Sequence, residues 1–288
     1  MGIVCVAIGI HTLWGGNPIA VKLGLEAFPP LWSGLLRFTL GCFCVSAWAR
    51  YVGVSLLPAR DEWLALTTIG LIFTLQVALM NVGIGATSAT NGAVLISTNP
   101  LFGVLFAHLI VPGDSVCLRR AAGCVIAFVG VVIVLMRNTA IGGPLGGLGD
   151  WMVLASACLL GLRLALSGRL LQRGNEVRLT FWQMLLSLPL FACGAVSWEE
   201  IHWEKVGVLP IAGILYQGIV IAGLAFTVNF YLMRRFSPSV MISFNFVAPV
   251  AGVLIGNTVL KEPISFGLLA GLIFVALGLI LIARRPSR

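Results

Sequence analysis

Between Glu62 and Asp114 the chain carries no Asp, Glu, Lys or Arg, and this uncharged run limits the fold more than any motif does. Crossing a bilayer takes about 20 apolar residues, so the run is too long for one crossing. Small polar residues over 86–91 split it into segments at 63–82 and 87–110. A soluble domain is about 25% charged, whereas this chain is 59% hydrophobic and 10% charged. No soluble core hides that much apolar surface, so the solvent is lipid.

The same criterion predicts an all-α membrane protein of ten transmembrane helices, at 2–21, 31–49, 63–82, 87–110, 119–136, 149–169, 178–197, 206–230, 237–259 and 264–283. No positively charged segment or small-residue cleavage site marks the N-terminus as a signal peptide, so it reads as a first span. The Gly/Pro-rich run at 142–149 has no helical period and reads as a linker. It separates a first five-helix repeat over 1–140 from a second over 150–288, with 141–149 between them.

The halves repeat each other. Pro100, Gly103 and Val104-Leu105 recur at one offset as Pro249, Gly252 and Val253-Leu254. With one residue dropped in the loop, Asp114, Gly123, Gly130 and Arg137 recur as Glu262, Gly271, Gly278 and Arg285. A period of half the chain is a duplication, not a solenoid. With a cytoplasmic N-terminus, twelve basic residues fall in inside loops (Arg50, Arg60, Arg119, Arg120, Arg169, Arg173, Arg178, Arg234, Arg235, Arg284, Arg285, Arg288) and four outside (Lys22, Arg137, Lys205, Lys261). That is a positive-inside bias, and it accounts for the net charge of +8 without nucleic acid. Five is odd, so the second copy enters from the opposite face. A five-plus-five inverted repeat is the arrangement many secondary transporters use for alternating access.

The motifs also resemble a known family. LWGGNPIAVK at 13–22, LLRF at 35–38 and the two Pro-centred segments with their trailing acid and glycines are similar to the EamA group of the drug/metabolite transporter superfamily. The resemblance covers nearly the whole chain. It implies a central cavity between the halves and export of amino acids, other metabolites or drugs from the inner membrane. The branch it is most like is that of bacterial amino-acid exporters, aromatic amino acids included. The chain departs from the pattern at Pro112-Gly113-Asp114, where a Gly-Glu pair is usual, and in a sixth span without Trp-Gly.

No span contains Asp or Glu within it. Carriers of lipophilic cations and many proton antiporters hold a carboxylate in the membrane, so a neutral or zwitterionic substrate fits better, and proton coupling falls to His11 or is absent. Arg163 lies inside span six with no acid to pair with. Its planar guanidinium suits a substrate carboxylate; the alternative is a side chain that snorkels to the headgroups beside Arg169. Gln76 and Met80 share a helix face, and Met adapts to varied side chains; an interhelical hydrogen bond is the plainer role. Asn99 precedes Pro100, which frees a carbonyl one turn earlier. Asn245 and Gln217 lie near mid-span, and Asn17 adjoins Pro18. The predicted substrate-binding set is therefore Arg163, Gln76, Met80, Asn99, Gln217, Asn245, Asn17 and His11. Arg37 reads as a structural hydrogen bonder. Lys22 resembles an anion-binding lysine of sugar-phosphate relatives and otherwise anchors the interface.

Gly123/Gly130, Gly271/Gly278 and Gly267-x-x-x-Gly271 allow close helix approach, within the bundle or at a dimer face, so monomer and homodimer both stay open. Trp63, Trp151, Trp198 and Trp203 sit at span ends as interface anchors. The seven cysteines show no metal-ligand spacing and read as buried apolar filler. The partners expected are lipid and a small-molecule substrate, with no cofactor, metal or nucleic acid. A membrane-embedded enzyme would need a nucleophile–base pair, a metal cluster or paired acids in the spans, and the spans hold none. An exporter of drugs or lipophilic cations with the same fold is the alternative. A receptor or scaffold gives no reason for an inverted repeat.

Overall fold

The computed structural model describes residues 2–87, 95–96, 98–114, 117–136, 147–248, 250–252, 255 and 266–283. Among these, the chain is helix and turn, with no strand. The helices are α1 (Gly2–Leu25), α2 (Pro30–Tyr51), α3 (Trp63–Gly85), α4 (Asn99–Ile110), α5 (Leu118–Met136), α6 (Leu148–Leu170), α7 (Glu176–Leu185), α8 (Leu188–Trp198), α9 (Val208–Leu215), α10 (Phe226–Arg235), α11 (Pro238–Ser243) and α12 (Phe266–Ala283). A π-helical segment, Tyr216–Ala225, joins α9 to α10. Six runs are long and apolar enough to cross a membrane: Val4–Leu25, Pro30–Tyr51, Trp63–Gly85, Leu148–Leu170, Glu176–Trp198 and Val208–Arg235. Asn99–Ile110, Pro238–Gly252 and Ile273–Ile282 are shorter apolar helices. Parts of the expected spans at 87–110 and 237–259, most of the linker, Pro249, Glu262 and the basic residues Arg137, Lys261, Arg284, Arg285 and Arg288 lie outside the described residues.

Polarity is inverted relative to a soluble protein. Leu64, Leu109, Val196 and Leu277 are exposed, while Arg37, Gln76, Asn81, Arg163, Gln183, Gln217 and Asn229 are buried. Lipid rewards an apolar exterior and drives polar groups to satisfy one another inside. Trp63, Trp151, Trp198 and Trp203 are exposed at helix ends, where indole rings anchor to headgroups.

Two spans differ from expectation. The segment expected as one helix over 178–197 breaks between α7 and α8, because Pro189 has no N–H to continue the ladder. At the break Met184 O accepts both the Ser187 N–H at 3.0 Å and the Ser187 Oγ at 2.6 Å. The eighth span runs on to Arg235, and its middle is π-helical from Tyr216. The cysteines differ as well. Cys42 and Cys124 are buried, but Cys5, Cys117 and Cys193 are exposed, and all seven are free. The reading of all seven as buried filler holds only in part: Cys5 and Cys193 face outward from their helices, and Cys117 precedes α5.

The helices pair across the halves. α1 packs on α9 and the π segment, α3 on α6, α4 on α6, and α2 on the π segment, α7 and α8. α5 and α12 form the most extensive pair. Its closeness rests on glycine: a Cβ on Gly123 would stand 2.8 Å from Gly278 O, and one on Gly130 only 2.7 Å from Gly271 O. The repeated glycines thus pack on one another, crosswise, inside the bundle. Gly103 and its repeat mate Gly252 behave alike. Gly103 meets Gly161 of α6, where an added Cβ would stand 3.3 Å from Gly161 Cα, and Gly252 meets Gly15 of α1, 2.9 Å from Gly15 O.

Each end of the bundle is tied between the halves. At one end Asp114 accepts from Ser237 Oγ (2.6 Å), Ser239 N (2.8 Å) and Ser239 Oγ (2.7 Å), and pairs with Arg120. Beside it Gln172 Nε2 donates to Pro112 O at 3.0 Å, and Glu62 pairs with Arg178. At the other end Glu199 accepts from Leu31 N and Trp32 N, capping the start of α2. Caps of this kind satisfy the free N–H groups of a helix start.

Candidate functional site

Helix α6 carries Arg163 into the interior, where it is 3% exposed. Its Nη1 donates to Gln183 Oε1 of α7 at 2.8 Å. Its guanidinium carbon lies 5.0 Å from the Phe73 ring centre and 5.9 Å from that of Phe226. These contacts turn it inward between α3, α7 and α10, not toward the headgroups beside Arg169. A ring face within about 6 Å attracts a cation, but it does not replace a counter-ion, and leaving a buried charge uncompensated is costly. The buried acids of the described residues are Asp114 and Asp150. Asp114 is held in the tie above, and Asp150 takes Thr87 Oγ1 and the Gly147 N–H. Two further donors at the site are unspent: Arg163 Nε and Gln183 Nε2 are buried with no hydrogen-bond partner. The cluster therefore holds a cation and surplus N–H groups between two aromatic rings, which is a setting for a carboxylate.

A second polar cluster joins three of the expected residues. His11 Nδ1 lies 2.7 Å from Ala7 O and Nε2 lies 2.9 Å from Asn245 Oδ1. Asn245 Nδ2 donates to Asn99 Oδ1 at 2.8 Å, and Asn99 Nδ2 to Ile96 O at 2.7 Å. Asn99 thereby takes the carbonyl that Pro100 frees, so that carbonyl is not left for a ligand. Trp14 links the clusters: its ring lies 5.0 Å from His11 and 5.8 Å from Phe226, which borders Arg163.

The remaining residues spread over the helix contacts. Gln76 Nε2 donates to Ser156 Oγ at 3.2 Å, and that hydroxyl donates to Gln76 O at 2.8 Å, clamping α3 to α6. Gln217, at the start of the π segment, accepts from Arg37 Nη1 at 3.2 Å and donates to Ala20 O at 3.0 Å. Arg37 is thus the structural hydrogen bonder expected, also lying 4.5 Å over the Phe38 ring. Met80 and Asn17 are half-buried, and Asn17 Oδ1 is buried without a hydrogen-bond partner. Lys22 is exposed. Of the eight residues expected, the structure brings His11, Asn99 and Asn245 into one chain and sets Arg163 two rings away; Gln76 and Gln217 serve other contacts. Sequence reasoning missed Gln183, Phe73 and Phe226. Gln183 is an amide inside an apolar run and carried the same signal as Gln76. The two phenylalanines carried none.

Residues 1–136 and 147–284 each match the EamA-like transporter family. An uncharacterized transporter of Archaeoglobus fulgidus is 24% identical over 92% of this chain and 91% of its own. The uncharacterized inner membrane transporter YedA of Escherichia coli is 26% identical over 89% of this chain and 82% of its own. A crystal structure of another protein superposes with a TM-score of 0.84 at 21% identity, over 98% of this chain and 96% of that one, which shows a shared fold. This chain is a multi-pass membrane transporter, and it belongs to the EamA-like transporter family.

Proposed function

We propose that this transporter exports amino acids or similar small amphiphilic metabolites from the inner membrane by alternating access. In this reading ten spans form two five-helix halves as an inverted repeat, with both termini cytoplasmic and the substrate held between the halves. The crosswise packing of repeat mates, Gly123 on Gly278 and Gly130 on Gly271, supports the two-fold relation. The separate family matches over 1–136 and 147–284 agree with it. Arg163 and Gln183 are both buried, as an occluded intermediate requires.

The observation that carries the substrate class is Arg163: a buried cation with unspent donors between Phe73 and Phe226 and, among the described residues, no salt bridge to an acid. A carboxylate supplies the missing charge, and the rings accept an apolar side chain. A lipophilic cation would meet like charge there, so the drug-cation reading is disfavoured. The test is flux into proteoliposomes, with labelled phenylalanine and leucine against a labelled lipophilic cation. Saturable amino-acid flux is expected; flux of the cation alone would overturn the assignment.

A further inference from the structure

Asn229 of α10 is 4% exposed, and its Oδ1 is buried with no hydrogen-bond partner. An amide oxygen left unpaired in the interior costs about as much as a lost hydrogen bond, a cost that a ligand donor would recover. Asn229 lies on the stripe Phe226, Asn229, Phe230, Met233, spaced three and four apart on one helix face. Phe226 is the ring 5.9 Å from the Arg163 guanidinium.

The register of α7 against α10 gives its level. Glu176, opening α7, pairs with Arg234 in the last turn of α10 at 2.8 Å, so the two helices run antiparallel from that point. Gln183 is two turns along α7, roughly 10 Å up at about 1.5 Å per residue. The same rise back along α10 reaches Thr227, between Phe226 and Asn229. Gln183 Nε2, a donor without an acceptor, and Asn229 Oδ1, an acceptor without a donor, therefore sit at one level on neighbouring helices and do not bond each other. A ligand that brings an acceptor and a donor together satisfies both.

We propose that Asn229 is the ammonium-recognising residue of the transporter: its Oδ1 accepts from the substrate's amino group while Arg163 and Gln183 hold the carboxylate. This rests on the amino-acid reading of Arg163 and adds zwitterion selectivity to it. The other charged groups on these helices, Glu176, Arg178, Arg234 and Arg235, stand at the tied end about one and a half to two turns away, so Asn229 meets the ammonium as a neutral dipole. A bare carboxylate leaves Asn229 unpaired; a bare amine leaves Arg163 unpaired.

The test uses purified full-length protein and three probes of one shape: phenylalanine, 3-phenylpropionate and phenethylamine. Asn229→Leu is expected to weaken phenylalanine binding roughly ten- to hundred-fold, the worth of one hydrogen bond to a charged group, and to leave 3-phenylpropionate unchanged. Asn229→Asp is expected to retain phenylalanine and weaken 3-phenylpropionate, because a carboxylate now faces it. Asn229→Asp also decides the matter if Asn229→Leu does not fold. Equal changes for both acids, or no change for either in monodisperse protein, overturn the assignment. 3-Phenylpropionate separates the two readings, since its affinity depends on Arg163 and not on Asn229. If Arg163→Ala leaves it untouched, the carboxylate site itself falls.

Discussion

Gly130→Ala tests the packing on which the bundle depends. A Cβ at this position would stand 2.7 Å from Gly271 O and 2.8 Å from Phe274 Cβ and Val275 N. The near atoms include the backbone of α12, so no side chain can swing aside, and α5 and α12 must part by most of an ångström. A gap of about 0.5–1 Å forfeits roughly a quarter to a half of each van der Waals well along the seam. Overpacking of this kind costs about 1–3 kcal/mol. In favour of the substitution, Ala is the better helix former by about 1 kcal/mol, so the net loss is about 0–2 kcal/mol. Gly9→Ala is the control: nothing lies within 4 Å of its would-be Cβ, so only the helix-propensity gain remains. The assay is thermal melting of both purified variants in detergent. Gly130→Ala is expected to melt below the parent and Gly9→Ala at or above it. Equal melting of the two variants would refute the account of the α5–α12 seam.

Two other perturbations probe the ends of the bundle. Asp114→Asn removes the charge that Ser237, Ser239 and Arg120 converge on and is expected to cost about 1–3 kcal/mol, read as a lower Tm in detergent; an unchanged Tm contradicts the tie. The Cys117 thiol is held below the usual thiol range by a hydrogen bond from the Arg120 backbone N–H and by the charges of Arg119 and Arg120. More of it is thiolate near neutral pH, so in a single-cysteine protein it reacts quickly with an impermeant maleimide, and Arg119→Gln slows the reaction. Labelling in inside-out vesicles but not in right-side-out ones is expected; the reverse would contradict the cytoplasmic placement of that loop.

The membrane class was legible because composition and uncharged runs are one-dimensional properties. Arg163 was legible for the same reason, as a lone cation in an apolar stretch, but its surroundings were not. Phe73 and Phe226 are ordinary phenylalanines in apolar helices, and only tertiary packing brings them to one guanidinium. The glycine repeat was visible as a pattern, while its crosswise meeting follows from pairing that no local spacing encodes. Asn99 was placed at a freed carbonyl, and the carbonyl proved to be Ile96 O, taken by the asparagine itself. The break in the seventh span has a cause in the sequence, Pro189, which the expectation of one continuous helix over 178–197 did not use. The π segment had no such cause, because its apolar residues read equally well at α-helical spacing.

The account turns on Arg163 as the carboxylate ligand, and one comparison addresses it directly: equilibrium binding of phenylalanine and phenethylamine to Arg163→Ala and Arg163→Lys, with the melting temperature of each variant. A charge-assisted hydrogen bond contributes about 1.5–3 kcal/mol, so Arg163→Ala is expected to weaken phenylalanine roughly 10- to 150-fold and to leave phenethylamine nearly unchanged. Arg163→Lys should restore part of the loss, since a point charge replaces a planar fork. Melting of Arg163→Ala should change little, because relief of the buried charge's desolvation offsets the lost bond to Gln183 Oε1. Equal effects on both ligands, or a fall in Tm with no ligand discrimination, would make Arg163 a structural residue and contradict the central claim.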